Sequence, residues 1–480
     1  MQLNRREFLQ TATAAAMAAP FTASAEETPA YNVVVLMSDE HNPKFTSVQG
    51  HPFLQTPNLE RLAARGTLFE NGYCPSPLCH PSRSAFLTGR RTHEIQVYNN
   101  CNVVSYDYPG YGAVLAGQGV HTVHLGKSDF YRPVAEAGFS ECIEAHDRPR
   151  PGDLNVSRNP LAIRVGDGQQ RAHAWGVREH AWAGDTAVVD AALEWLRTRP
   201  QTLGKPFTLV ANVNAPHFPH YNTQAIWERY PQGADLPAHG FEAASAKHPY
   251  AQDLQNHFET HTFNEEQIRG LRRGYLGCVT YIDHAVGRFL DTLDQAGLSE
   301  NTVFIYCSDH GEMLGKFGMW WKCSLYEDSV RVPIYACGPG FQAGKRVAAP
   351  AGLLDVQATL FAATGKSRPA GWSGQPLQEV AKLPADRPIF SEYHGHGTRG
   401  SSFMVREGDW KLLWHHGAAS QLFNLAEDPE ELNNCSGKGA KVEQDLQTLL
   451  RSFVDPEAEH ARAEAFIEEQ EKMLAALQGT

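Results

Sequence analysis

Hydrophobic positions along the chain follow two rhythms. Asn32 to Met37 reads Asn-Val-Val-Val-Leu-Met, an unbroken apolar run rich in β-branched residues, the pattern of a strand covered on both faces. Phe207 to Asn212 and Thr302 to Cys307 repeat it. Around these runs the period changes to three and four. Thr56 to Gly66 predicts a helix with Thr56 as N-cap, Pro57 in the first turn and Gly66 at its end. Asp185 to Arg197 places Val188, Val189, Ala192, Leu193 and Leu196 on one face. The longest helix is predicted from Asn264 to Gly297, with Gln267 set for a capping box and Leu271, Tyr275, Ile282 and Phe289 on its apolar stripe. Such alternation predicts an α/β fold: a large, mixed, mostly parallel sheet sandwiched by helices, with ligands gathered beyond the carboxyl ends of the strands.

Beyond about Gly344 the rhythm changes again. Arg387 to Phe390, Ser402 to Glu407, Trp410 to His415 and Gln421 to Leu425 read as short strands, the middle two joined by the turn Glu407-Gly408-Asp409. A smaller antiparallel sheet is expected there, completed by amphipathic helices over Val442 to Leu477. The expected organisation is a large domain over 31–345 and a smaller C-terminal α+β domain over 346–480.

The first residues read as an address. Asn4-Arg5-Arg6-Glu7-Phe8-Leu9 is a twin-arginine signature, followed by an alanine-rich stretch and the small-residue site Ala23-Ser24-Ala25. A signal peptide over 1–25 is expected, with the Tat translocon as partner and a periplasmic or secreted protein as result. No apolar run approaches the ~20 residues that span a bilayer, so no stable membrane span is expected. The balance of 42 Lys+Arg against 54 Asp+Glu, net −12, lacks the basic face that nucleic-acid binding needs. Nine cysteines are an odd number without a regular framework, so at least one thiol is unpaired or chemically special.

The candidate chemistry stands at the carboxyl ends of the strands. The first strand delivers Asp39-Glu40, and the strand ending at Cys307 delivers Ser308-Asp309-His310-Gly311-Glu312. Carboxylates meeting without obvious Lys or Arg partners repel one another unless a cation lies between them, which points to a divalent metal; the plainer alternative is that Asp39 and Asp309 cap the next elements. Between the two clusters stands Cys79-His80-Pro81-Ser82-Arg83. Pro81 predicts a helix opening at Cys79, which puts its side chain where backbone N–H groups and the helix dipole favour an anion, with Arg83 one turn in. An unmodified Cys79 there would be a thiol of lowered pKa.

This sequence resembles the type I sulfatases of the alkaline-phosphatase superfamily. Their signature Cys-x-Pro-Ser-Arg, continuing to Thr-Gly-Arg, stands here as Cys79 to Arg83 and Thr88-Gly89-Arg90. The resemblance continues through Thr56-Pro57-Asn58-Leu59, Leu125-Gly126-Lys127, Ala215-Pro216-His217, Ser308 to Glu312, Trp321-Lys322-Cys323-Ser324 and the closing stretch Leu422 to Glu431. It implies that 31–345 is the catalytic domain and that a formylglycine-generating enzyme oxidises Cys79 to Cα-formylglycine, whose hydrate is the nucleophile. It implies Asp39, Asp309, His310 and the modified Cys79 as ligands of a divalent metal. Calcium is the family's usual ion, and the nitrogen of His310 also suits Mn2+ or Zn2+. Glu40, standing where many members have an Asp or an amide, must fold back to reach that ion.

The implied roles are then specific. Arg83, Lys127 and Lys322 neutralise the sulfate oxygens, Asp309 orients or deprotonates a hydroxyl of the hydrate, and His217 with Lys322 supplies the leaving-group proton. Where many members read Gly-Lys-x-His, this chain has Gly126-Lys127-Ser128-Asp129, so Asp129 either accepts the proton the His would take or caps a helix or touches substrate. His220, His394 and His396 are further candidates for the substrate pocket, and the segments Ala145 to Val177 and His217 to His261 for its walls. The implied substrate is a small-molecule or oligosaccharide sulfate ester, a sulfated carbohydrate in particular. Phosphonate monoester or phosphodiester hydrolysis is the alternative on the same fold, because the motif does not separate sulfur from phosphorus; a non-catalytic binder of sulfated glycan and a cysteine hydrolase are weaker ones.

Overall fold

A computed structural model describes residues 30–104, 106–230, 235–438 and 441–478. The leader expected over 1–25 lies outside them. An eight-stranded sheet among the described residues runs in the order Lys345–Val347, Gly66–Phe69, Ile334–Cys337, Thr302–Ser308, Asn32–Asp39, Phe207–Pro216, His121–Lys127 and Glu141–His146. Ile334–Cys337 is antiparallel to both its neighbours and the other pairings are parallel, the mixed, mostly parallel sheet the alternation predicts.

The two-sided apolar run explains the central strand. Val33, Val35 and Met37 join the core on one face and Val34 and Leu36 the core on the other, all buried. Glu265–Gln295 is the long helix, and Asn264 caps it reciprocally with Gln267 as its spacing predicts. Its first half contributes Leu271 and Tyr275 to one core; its second half sends Ile282 and Phe289 into the other.

Register places the site. Ser38 pairs with Ser308 and Met37 with Cys307, so Asp39 and Asp309 leave adjacent parallel strands at one level. Asn212 pairs with Met37 on one side and Gly126 on the other, which brings Lys127 and the loop after Pro216 to the same edge.

The second layer is an antiparallel sheet of Ile389–Tyr393, Ser402–Glu407, Trp410–His415 and Gln421–Asn424, packed through Leu412 and Leu422 on Leu446 and Leu450 of the helix Lys441–Phe453. The expected boundary at 345 falls inside a strand of the large sheet, and Val356 and Leu360 of the helix Leu353–Ala363 belong to the large domain's core. The second layer therefore starts at Ile389. Buried Lys411 ties it to the first, reaching Glu327 at 2.8 Å and Glu431 at 2.7 Å. The closing helix Pro456–Gln478 crosses back to the large domain, where Tyr98 donates to Glu459 and Asn99 to Gln470. All nine cysteines are free thiols. No helix among the described residues is long and apolar enough to cross a membrane.

Candidate active site

The helix Cys79–Thr88 opens with Cys79 as its first residue, after Leu78 in extended conformation. Cys79 is fully buried, with Sγ 3.2 Å from His310 Nε2 and 3.8 Å from Asp39 Oδ1. Burial and the charge of Asp39 push its thiol up, but Lys127, Lys322 and His310 outweigh them and bring it down to about 6. The same surroundings push His310 up to about 9: burial opposes its charge, and Asp309 and Cys79 more than restore it.

The acidic clusters converge as the register requires, but they do not meet alone. Arg83 Nε donates to Asp309 Oδ2 at 2.8 Å, Lys127 Nζ pairs with Asp39 Oδ2, and Lys322 Nζ lies 3.3 Å from Glu40 Oε1. The expectation of carboxylates without cationic partners is therefore corrected: the partners come from distant segments, out of reach of a local reading. The two aspartates divide in consequence. Burial raises both, Lys127 and the other nearby cations hold Asp39 well below the usual carboxylate range, and Asp309 stays raised with Arg83 only partly offsetting.

Arg83 is also corrected. It is 1% exposed and its donors are spent inside the protein, on Asp309, on Asn212 Oδ1 at 3.0 Å and on backbone carbonyls. It positions Asp309 and does not face the cleft, so it is not a direct neutraliser of a bound anion.

A cavity of about 430 Å3 opens over this cluster. Lys127, Asp129, His217, Lys322 and His396 line it, and both segments expected to form walls do so, through Arg148, Asp153 and Arg171 on one side and Phe218 and Phe258 on the other. His217 donates through Nδ1 to the Phe218 carbonyl at 2.6 Å and turns Nε2 toward Glu40 Oε2 at 3.4 Å. Burial brings its pKa down to about 4, Glu40 only partly opposing, so the ring is neutral. Lys322 keeps its charge because Cys79, Glu40 and Asp39 overcome burial, and its Nζ has no hydrogen-bond partner.

Asp129 takes part as an ion. Burial opposes its charge, but Lys127 at 3.3 Å and Arg148 at 2.5 Å hold it far below the usual carboxylate range, so it is no proton acceptor. His220 and His394 do not line the cavity, a correction to both. His220 is buried against the long helix with Nδ1 on the Leu271 carbonyl, and Gly274 is glycine there because a Cβ would come within 2.5 Å of the His220 oxygen. His394 is buried between Ser401 and Glu392, each 2.9 Å away. Asn100 was missed: it lines the cavity, and its Oδ1 accepts the His80 N–H beside Cys79 at 3.1 Å, with no motif in its vicinity to announce it.

Two groups of donor atoms, Asp39 with Cys79, Asp309 and His310, and Asp39 with Glu40 and His217, each lie within 4.8 Å of one another. The residues fit a divalent cation. Glu40 is fully buried with neither oxygen hydrogen-bonded, held at a positive φ of 69° that turns it into the cluster. Burial pushes its carboxyl up to about 8 with His217 and Lys322 only partly offsetting, so Glu40 is where a cation gains most.

The sulfatase family profile matches residues 31–366, and the profile of the N-sulphoglucosamine sulphohydrolase C-terminal region matches 315–455. The chain belongs to the sulfatase family. This sulfatase is 30% identical to a choline-sulfatase of Rhizobium meliloti over 457 residues, covering 91% of this chain and 88% of that one. It is 29% identical to arylsulfatase K of Danio rerio, covering 88% and 84%. Among solved structures, one in complex with its substrate D-glucosamine-2-N,6-O-disulfate superposes with TM-score 0.69 at 21% identity, covering 88% of this chain and 97% of that one. A phosphonate monoester hydrolase from Silicibacter pomeroyi superposes with TM-score 0.71 at 21% identity, covering 88% and 94%. These superpositions show the fold alone; the family match places the chain among the sulfatases of the alkaline-phosphatase superfamily and makes it a sulfuric ester hydrolase.

Proposed function

We propose that this sulfatase is an exported enzyme that releases inorganic sulfate from a sulfated carbohydrate, with Cys79 oxidised to formylglycine by a formylglycine-generating enzyme and a divalent cation, calcium, held by Asp39, Glu40, Asp309 and His310. The observation that carries it is the burial of Cys79 at a helix N-terminus, 3.2 Å from His310 and 3.8 Å from Asp39, beneath a cleft whose inner end is Lys127, His217 and Lys322. When bound, the cation supplies charge neutralisation of the sulfate oxygens. The formylglycine supplies a geminal diol, and its second hydroxyl provides the exit for sulfate that a plain thiol lacks.

The chain's own residues do the rest. Lys127 and Lys322 hold the sulfate from the cleft side, their ammonium groups kept charged by the acidic cluster beneath. Asp309, clamped by Arg83 and with Oδ1 on the Glu40 N–H, orients the nucleophilic hydroxyl. Lys322, the free donor at the inner end of the cleft, protonates the departing oxygen alone; His217, with its proton on Nδ1, accepts a hydrogen bond through Nε2 and does not share the proton-donor role that the resemblance implies. The cavity of about 430 Å3 admits a sugar ring, as the disulfated glucosamine of the structural neighbour illustrates for that protein. The twin-arginine leader supports passage through the Tat translocon to the periplasm or beyond.

Intact-mass analysis of protein matured with the generating enzyme tests the nucleophile: the expected result is the mass loss of thiol-to-aldehyde conversion at Cys79, absent in Cys79→Ala, together with sulfate release that the variant loses. Full turnover by protein whose Cys79 is a free thiol would overturn the reading.

A further inference from the structure

The cleft as a whole carries more positive charge than one sulfate needs. Five cationic side chains line it, Lys127, Lys322, Arg148, Arg164 and Arg171, against three carboxylates, Asp129, Asp147 and Asp153. Each carboxylate is already engaged. Asp129 holds Lys127 and Arg148, Asp147 accepts from the Ser128 hydroxyl and the Val134 N–H, and Asp153 holds Arg164 and lies 3.5 Å from His396. No acidic group of the cleft is left for a ligand cation.

Two guanidinium groups, in contrast, have donors to spare. Arg171 is gripped on one edge by Asp167, with Nε at 3.1 Å and Nη2 at 2.9 Å, and its Nη1 has no partner among the described residues. Arg148 gives Nη2 to Asp129, and its Nη1 has no partner among the described residues. Arg164 is fully spent on His257, Asp167 and Asp153. The aromatic surface is occupied too. Arg171 lies 4.5 Å from the Phe218 ring, 4.9 Å from Trp321 and 5.6 Å from Phe258, so the protein's own cation fills the box in which a quaternary ammonium would sit.

We infer that the preferred substrate is a sulfate ester whose leaving group carries a second oxyanion, docked on the free edges of Arg148 and Arg171, and that cationic leaving groups are rejected. This rests on the sulfatase reading and narrows it. The second oxyanion is a carboxylate or a further sulfate, both of which match a guanidinium edge.

The test uses the mature full-length enzyme and phenyl sulfates of matched shape bearing at the meta position hydrogen, carboxylate, a second sulfate or trimethylammonium. The expected kcat/KM for the better anionic ester is at least ~10-fold above the parent, and that for the trimethylammonium ester is below the parent although it is the better leaving group. The carboxylate and disulfate arms identify which oxyanion is read. In Arg171→Gln the anionic-to-parent ratio falls toward one, Arg171→Lys keeps part of it, and in the wild type rising salt erodes it. A trimethylammonium ester turned over as well as the anionic ones, or a ratio unchanged in Arg171→Gln, overturns the inference and leaves the sulfatase standing. Failure to hydrolyse any of the four by enzyme that still releases sulfate from sulfated sugars overturns this inference alone, whereas sulfate release from neither class of ester overturns the proposed function with it.

Discussion

Arg83 Nε donates to Asp309 Oδ2 at 2.8 Å, a contact between residues 226 positions apart, with both side chains buried. It makes the arginine of the Cys-x-Pro-Ser-Arg motif a clamp: its fork joins Asp309 to Asn212 and to the Lys127 carbonyl and so ties three strands together. Arg83→Ala strands a buried carboxylate. The expected loss is about 3–5 kcal/mol of stability, read by urea denaturation of the unmodified thiol form. A loss below ~1 kcal/mol would mean that Asp309 finds another partner or protonates without cost.

Lys322 differs because its ammonium is free of hydrogen bonds. Lys322→Ala is expected to lower kcat on the order of 10²–10⁴-fold for alkyl sulfates, whose leaving oxygen needs a proton, and far less for 4-nitrophenyl sulfate, whose phenolate does not. Equal losses on both would assign Lys322 to sulfate binding alone.

Glu40 yields a prediction for ion removal. Chelation of divalent ions is expected to abolish turnover and lower the melting midpoint, both restored by calcium; an ion at 100 times its Kd contributes about 2.7 kcal/mol. Glu40→Gln, which keeps shape and removes charge, should weaken calcium binding measured by calorimetry. An unchanged melting curve after chelation would contradict an ion at this site.

The pair Glu327 and Glu431 makes stability pH-dependent. Burial raises both carboxyls; Lys411 with Arg331 and Arg406 brings Glu327 down to about 2, while Glu431, which Lys411 and Lys316 offset only in part, stays raised. A depressed folded pKa contributes stability that is present above the unfolded value of 4.5 and lost as pH falls toward 2. The melting midpoint should therefore drop steeply between those limits, and Glu327→Gln should flatten that part of the profile. Wild type and variant falling in parallel would remove Glu327 from the account.

Much of the fold was legible locally. The two-sided apolar runs identify the buried strands, the Asn264 and Gln267 spacing marks the start of the long helix, and the turn at Gly408 joins its hairpin, because each depends on neighbours within a turn or a strand. The site was legible in part: the acidic clusters at two strand ends and Cys79 at a helix start are positional statements that hold once those strands pair in parallel.

What each side chain does there was a matter of tertiary structure. Asp129 stands where a proton acceptor was conceivable, yet Lys127 and Arg148 keep it ionised, and Arg148 reaches it only because the strand Glu141–His146 pairs beside His121–Lys127. His220 and His394 look like pocket residues in a linear reading and are sealed against a helix and a carboxylate, while unannounced Asn100 reaches the nucleophile's neighbour. By itself, the chain's order of residues determined which segments are strands and helices and which chemical groups stand at their ends. Folding alone decided which charges neighbour which, since partners come from segments up to hundreds of positions away and a periodicity records the face a residue occupies but not what lies against it.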